Sequence, residues 1–234
     1  MQALILCGGL GKRLRPFTKK IPKSMMPVAG KPFLEYLIEF LKKNGMEEII
    51  LCTGYLHNKI EDYFGNGKRF EVNIQYSREY SPLGTGGAIK NAEKLIKNSF
   101  FALNGDSYVN LNLNYLKRKH LQKKAIATIA LTKAKNASRY GRVVLDKSGR
   151  ILDFSEKPSI ASKKNSYINA GVYLLDKRVL KLILNKTNCS LEKDIFPKLL
   201  RHGFYGYQCK GFFVDIGTLE TYRGFNKIMK EAKK

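Results

Sequence analysis

Three features of this 234-residue chain have the residue types and spacing for chemistry on phosphates. The first is Gly8-Gly9-Leu10-Gly11-Lys12-Arg13-Leu14-Arg15-Pro16, which follows the apolar run 2–7. Three glycines in four residues permit positive φ and bring backbone N–H groups close to a ligand, which is how a loop cradles a phosphate. The cations behind it differ in kind: arginine is a planar fork for phosphate oxygens, lysine a mobile point charge. The second is Pro22-Lys23-Ser24-Met25-Met26-Pro27-Val28, whose prolines fix φ and hold Lys23 back toward the same loop. The third is a pair of carboxylates: Asp106 follows the run Phe100–Leu103, and Asp215 follows Gly211-Phe212-Phe213-Val214. Two carboxylates meeting across a cleft suit a hard divalent cation that is shared with phosphates.

Other chemistries are excluded by the same spacing argument. A dinucleotide fingerprint needs GxGxxG, whereas GGxG here runs into Lys12 and Arg13. A P-loop ending at Gly11-Lys12 needs glycine at position 6 and Ser or Thr at 13, and finds Leu6 and Arg13. Cys7, Cys52, Cys189 and Cys209 form no CxxC pair, and His57, His120 and His202 stand isolated, so neither a zinc site nor a disulfide framework is expected. Cys7 and Cys52 lie in apolar strand-like runs and read as buried reduced thiols.

The elements that must carry these groups alternate. Residues 2–7 read as a strand, and Pro32 to Asn44 as a helix, with apolar residues at Phe33, Leu34, Leu37, Ile38 and Leu41. Strands are expected at Glu48–Thr53, Val72–Tyr76, Phe100–Leu103 and Ala125–Leu131, with helices over 56–64 and 86–97 and another capped by Asn112. Ligands in such sheets bind at the carboxyl ends of strands, where the glycine loop and Asp106 fall. The second half reads differently: a hairpin from Arg142–Leu145 and Arg150–Phe154, a strand Tyr167–Leu175, and helices at about 177–185 and 190–202. Short strands Tyr205–Gln208 and Phe212–Val214 and a basic helix over 218–232 complete it. The expectation is an α/β fold: a Rossmann-like mixed, mainly parallel sheet flanked by helices. It forms a single domain, with a core at 1–134 and a smaller second lobe at 135–234 that ends in a C-terminal helix.

Composition narrows the class. Apolar residues make up 44% and aromatics 11%, which is globular rather than disordered. No apolar run approaches the ~20 residues that span a bilayer, and the N-terminus has no basic leader, so a cytoplasmic protein without membrane partners is expected. Lys and Arg number 43 against 19 Asp and Glu, a net charge of +24. No aromatic-interleaved basic stripe accompanies it, so nucleic acid is not expected; a solvated lysine surface or attraction of polyphosphate substrates accounts for it.

The ordered set of motifs resembles the sugar-1-phosphate nucleotidyltransferases. It comprises Gly8-Gly9-x-Gly11-x-Arg13-Leu14-x-Pro16-x-Thr18, Pro22-Lys23, Met26-Pro27-Val28, Lys31-Pro32, Pro82-Leu83-Gly84-Thr85-Gly86-Gly87-Ala88 and Asn104-Gly105-Asp106. It continues through Glu156-Lys157-Pro158, Asn169-Ala170-Gly171 and Asp215-Ile216-Gly217-Thr218, covering about residues 1–225. Two departures stand out: Lys12 replaces Thr or Ser, and Ser24 replaces the second proline of P-K-P. The resemblance implies that a sugar 1-phosphate attacks the α-phosphorus of a nucleoside triphosphate, with Mg²⁺ on Asp106 and Asp215. Arg13 would steady the leaving phosphates and Lys23 the reacting ones. It implies nucleotide contacts from Leu6, Gly8, Gly9, Gly11, Glu79, Pro82, Gly84 and Thr85. Gly141, Glu156 and Asn169 would meet sugar hydroxyls, and Lys157 and Asp215 would hold the sugar phosphate.

The same resemblance implies that Glu79 occupies the base-reading position. A carboxylate only accepts hydrogen bonds, and guanine offers two adjacent donors, so GTP is favoured. The overall texture is nearest the short guanylyltransferases acting on heptose 1-phosphates, with mannose 1-phosphate enzymes close behind. A uridylyl-, thymidylyl- or cytidylyltransferase on another sugar or alcohol phosphate stays the alternative, with a non-catalytic nucleotide-sugar sensor behind it. A homo-oligomer stays open.

Overall fold

The computed structural model describes residues 1–133, 140–155, 167–185 and 187–232. Gln2, Ala3, Leu4 and Ile5 are all buried, on both faces of the pleat, as a central strand covered by helices on each side requires. In chain order the elements begin β1 (Gln2–Leu6), β2 (Pro27–Val28), β3 (Lys31–Pro32), α1 (Phe33–Lys43), β4 (Glu48–Thr53), α2 (His57–Phe64), β5 (Asn73–Arg78), α3 (Gly84–Asn91), β6 (Phe100–Asn104) and β7 (Ser107–Val109). They continue with α4 (Leu113–Gln122), β8 (Ala127–Thr132), β9 (Arg142–Leu145), β10 (Ile151–Ser155), β11 (Tyr167–Leu175), α5 (Phe196–Leu199), β12 (Phe204–Gln208), β13 (Phe213–Asp215) and α6 (Leu219–Glu231).

Among the described residues nine strands form one mixed sheet, ordered β10-β9-β11-β6-β1-β4-β5, with β8 and β12 extending it from β11. It is parallel through β5, β4, β1 and β6, and turns antiparallel where β11 joins β6. The expected hairpin is present as β9 and β10. One apolar layer packs α1, α2, α4 and α6 on one face through Leu37, Ile60, Leu116 and Phe225. The other face is covered by α3 and α5 through Ile89, Phe196 and Leu199.

Local signals explain most boundaries. α1 starts after Pro32 and buries the predicted 33, 34, 37, 38 and 41 stripe. Asn112 caps α4, its side chain accepting the Tyr115 N–H at 3.0 Å. Three helices differ from expectation, the first being the one expected at about 177–185, which is instead a 3₁₀ helix over Lys177–Leu182. α3 begins at Gly84 rather than 86 and ends at Asn91, with a separate 3₁₀ turn at Glu93–Leu95. Glycines are poor helix formers and hid this start; they are there because Cys189 packs against them. A Cβ on Gly84 or Gly86 would lie 2.5 Å and 3.1 Å from the Cys189 carbonyl oxygen. The expected helix over 190–202 is instead a π-helical turn, Leu191–Ile195, followed by the single turn of α5. Pro197 has no N–H to continue a regular α ladder.

The boundary expected between 134 and 135 falls at residues outside the described set, as do Glu156 and Lys157.

Candidate active site

Register builds the first side of the site. Leu6 lies opposite both Cys52 and Asn104, so β1, β4 and β6 end level with one another. Their continuations, Cys7-Gly8, Gly54 and Gly105-Asp106, therefore share one edge. A cleft of about 320 Å³ opens there, lined by Leu6, Gly8, Gly9, Lys23, Glu79, Pro82, Gly84, Thr85 and Asp106. Two glycines form a bed for Glu79. A Cβ on Gly8 would come within 2.6 Å of its Oε1, and one on Gly54 within 2.8 Å of its Cγ. Gly54 was not singled out from the sequence, because it lies in no recognisable motif. Burial pushes the half-buried Glu79 carboxyl above its ordinary range, and the Leu83 N–H donated to Oε2 at 3.2 Å only partly opposes this. Behind the cleft, burial drives the Cys7 thiol far up and the Cys52 thiol to about 12, so both stay protonated and structural.

Arg13 and Gly11 line an adjacent depression with Gly9, Lys12, Lys23, Asp106 and Gly217. Gly11 is left-handed at φ +60°, and its carbonyl accepts the buried Thr18 hydroxyl at 2.8 Å and the Leu14 N–H at 3.0 Å. Leu14 is buried, so the 3₁₀ turn Lys12–Leu14 is pinned from below while Lys12 and Arg13 stay exposed. Lys23 forms an ion pair with Asp106. Burial alone would raise the Asp106 carboxyl; the Lys23 ammonium, the Ser107 hydroxyl and Arg13 outweigh it and hold the group below its usual range.

The opposite side is assembled by a two-stranded ladder. Asp215 on β13 lies opposite Ser107 on β7, and the Ile216 N–H donates to the Asp106 carbonyl at 2.8 Å, so the two aspartates come to one place. Both line a third depression with Arg13, Tyr140, Gly141, Asn169 and Glu192. Asp215 accepts from the Tyr140 hydroxyl and from the Gly217 N–H, the latter at 2.7 Å. The segment Asn169-Ala170-Gly171 is a bulge in β11: Oδ1 of Asn169 accepts the Gly171 N–H at 2.9 Å, and Gly171 has φ +73°. The Asn169 N–H donates to the Gly141 carbonyl at 3.0 Å, which joins these two predicted residues. Tyr140, Tyr173 and Glu192 were not read from the sequence. Tyr140 adjoins a motif glycine, but nothing local marks Glu192.

Asp106 lines all three of these depressions, so one carboxylate stands where they meet. Asp106 and Asp215 also fit a divalent ion. Both are hard oxygen donors on a shared depression, and among the described residues no cluster of three or more His, Cys, Asp or Glu could complete a protein cage. Such a site would leave coordination positions for phosphates and water, as Mg²⁺ prefers.

Comparison with known proteins agrees with this layout. A family model described as nucleotidyl transferase matches residues 2–232. The chain is 41% identical to D-glycero-alpha-D-manno-heptose 1-phosphate guanylyltransferase of Aneurinibacillus thermoaerophilus, over 100% of this chain and 99% of that protein. A Campylobacter jejuni protein of the same name is 39% identical over 96% of this chain and 98% of its own length. The crystal structure of HddC from Yersinia pseudotuberculosis complexed with GMP-PN superposes with a TM-score of 0.84 at 33% identity, covering 98% of this chain and 99% of that one. A UDP-glucose pyrophosphorylase complexed with UDP-glucose shares the fold at a TM-score of 0.86 and 24% identity. A match running from residue 2 to residue 232, with 41% identity to a relative over 100% of this chain, places this chain in the nucleotidyl transferase family.

Proposed function

We propose that this nucleotidyltransferase moves a guanylyl group from GTP to a sugar 1-phosphate of the heptose type, with mannose 1-phosphate as the next acceptor, releasing pyrophosphate. An ionised oxygen of the sugar phosphate attacks the α-phosphorus. The bond from that phosphorus to the α,β-bridging oxygen breaks, and its electrons leave with pyrophosphate. Such a transfer needs alignment and charge neutralisation more than proton shuttling. Arg13 steadies the departing phosphates and Lys23 the reacting group, while the amides of Gly8, Gly9 and Gly11 cradle the chain of phosphates. Glu79 accepts from the two adjacent guanine donors, with Leu6, Pro82, Gly84 and Thr85 around the base and ribose. Gly141, Glu156 and Asn169 meet sugar hydroxyls, and Lys157 the sugar phosphate, within a sugar-binding part that begins near residue 135.

Enzymes of this family typically work with a divalent metal; Mg²⁺ is assigned here, with Asp106 and Asp215 as the residues that would hold it. When bound it supplies neutralisation of phosphate charge. The cytoplasm, where nucleotides are made, is the proposed location.

The observation that supports this reading most is Asp106 facing all three depressions at once. The guanylyl preference and acceptor class follow the two full-length relatives. The test is a pyrophosphate-release screen of GTP, UTP, dTTP, CTP and ATP against heptose, mannose and glucose 1-phosphates with Mg²⁺. GTP with the heptose 1-phosphate should give the fastest turnover. No pair above background removes the enzyme reading, and UTP outpacing GTP with every acceptor removes the guanylyl one.

A further inference from the structure

Behind the acceptor cradle lies a hydrogen-bond chain through Tyr173 and Glu192, two residues to which no role has been assigned. Tyr173 is wholly buried on β11, four residues after the start of the bulge, with its ring packed on Phe196 at 5.3 Å between centroids. A phenylalanine would fill that apolar site without the cost of burying a hydroxyl, so the oxygen needs a purpose. Three polar side chains converge on it. The Asn169 amide donates at 2.9 Å, the Asn104 amide at 3.4 Å, and the Tyr173 hydroxyl donates in turn to Glu192 Oε1 at 3.1 Å. The other carboxylate oxygen of Glu192 accepts the Thr85 hydroxyl at 2.7 Å and the Ser190 hydroxyl at 2.8 Å. The Thr85 oxygen accepts the Leu191 N–H at 2.8 Å, which fixes the direction of its own proton. Burial and the neighbouring Glu192 charge push the Tyr173 hydroxyl far above its ordinary range, so it keeps its proton and stays a donor.

The two ends of this chain lie in different pockets. Thr85 lines the donor cleft, Asn169 and Glu192 the acceptor depression, and Asn104 both. We propose that Tyr173 and Glu192 act as one positioning unit that sets the donor cleft and the acceptor cradle at reacting separation, a role that rests on the nucleotidyl-transfer reading above. Neither residue needs to touch the reacting atoms. Their work is to keep the Asn169 amide and the Thr85 end of α3 in a fixed relation, because a misplacement of about 1 Å costs a bimolecular reaction on the order of 100-fold.

The experiment compares full-length wild type with Tyr173→Phe, Glu192→Gln and the double variant in steady-state kinetics, using the donor and acceptor that turn over fastest. Tyr173→Phe leaves the ring in place but unpairs Asn169 and Glu192, so the fold should persist with a melting temperature lower by roughly several degrees. The expected result is a fall in kcat of about tenfold or more, with KM for each substrate within about threefold of wild type. The double variant should lose no more than the worse single one, as residues acting in one chain do. Glu192→Gln weakens the chain without emptying the core and should give the same kcat-selective loss if Tyr173→Phe folds poorly. Unchanged kcat in folded Tyr173→Phe or in Glu192→Gln overturns the proposal, as does loss confined to KM or multiplicative effects in the double variant. A wild type that turns over no substrate pair would instead remove the catalytic reading on which this one stands.

Discussion

The two sides of this cleft, proposed above as donor and acceptor sides, are built by different means. On the donor side, parallel strands end level and glycines do the shaping: Gly8 and Gly54 make room for Glu79, and left-handed Gly11 turns the phosphate loop. Precision there comes from backbone geometry, which few residue types can satisfy. On the acceptor side, a bulged antiparallel strand carries Asn169, and its orientation depends on side chains, through Tyr173 to Glu192 and Thr85. Backbone-shaped sites should fail abruptly on losing one reacting group. Networked sites should lose rate while still binding.

The two donor-side carboxylates sharpen that contrast. Asp106 is held below its usual range and Glu79 above it. Asp106→Ala should cost on the order of 10²–10³-fold in kcat, the scale seen when a preorganised charge is removed from phosphate or oxyanion chemistry. It also leaves Lys23 without the carboxylate it pairs with. Turnover within threefold of wild type would break the assignment. The signs of the two shifts differ in their effect on stability. A lowered folded pKa gives stability that is present above the unfolded value and lost as pH falls through the folded one. A raised folded pKa gives stability that is present below the unfolded value and lost as pH rises through the folded one. Melting curves against pH should therefore show Asp106→Asn flattening the acid limb, and Glu79→Gln raising the melting temperature at neutral pH.

Glu79→Gln should at the same time reduce discrimination of GTP over UTP, by about 10- to 100-fold, the worth of hydrogen bonds to a charged acceptor. Wild-type GTP binding should weaken on acidification at a pH above the ordinary carboxylate range, because protonation removes one accepting oxygen from the fork. An unchanged GTP to UTP ratio in Glu79→Gln would mean that another group reads the base.

This asymmetry also decides what was legible in the sequence. Gly8, Gly11, Lys23, Asp106 and Asp215 sit in local motifs, and the parallel core with its α1 stripe follows from periodicity. Glu192 was invisible because its partner Thr85 is 107 positions away and the hydroxyl between it and Asn169 belongs to a core aromatic. Side-chain networks need no fixed spacing, so no pattern announces them. The start of α3 was missed for a related reason. Its glycines argue against a helix locally and are explained only by Cys189 packing on them from a distant segment.

Lys12 tests whether the phosphate loop of this chain has gained a grip that its relatives do by other means. It is exposed, lines the phosphate depression beside Arg13 and Lys23, and stands where the resembled family has Thr or Ser. Three cations there face the single carboxylate Asp106. Lys12→Thr should weaken inorganic pyrophosphate and GTP by about three- to tenfold while leaving GMP unchanged, and the difference should shrink as salt is raised. Calorimetric titration of the three ligands checks it. Equal loss for GMP would move Lys12 away from the terminal phosphates.

The smallest effect belongs to Ser24, the second departure. It is 2% exposed, and its hydroxyl has no hydrogen-bond partner among the described residues. An unsatisfied buried hydroxyl is a cost without a matching gain, so Ser24→Ala should be neutral or stabilising by up to about 1 kcal/mol, with kcat and KM unchanged. The turn around it does not need the side chain, since Met25 and Met26 N–H groups bond to the Pro22 and Lys23 carbonyls at 2.8 and 3.1 Å. Thermal melts paired with initial rates decide the matter. A fall in GTP affinity in Ser24→Ala would show that the hydroxyl turns toward bound nucleotide, and that donor-side precision is shared between backbone and side chains after all.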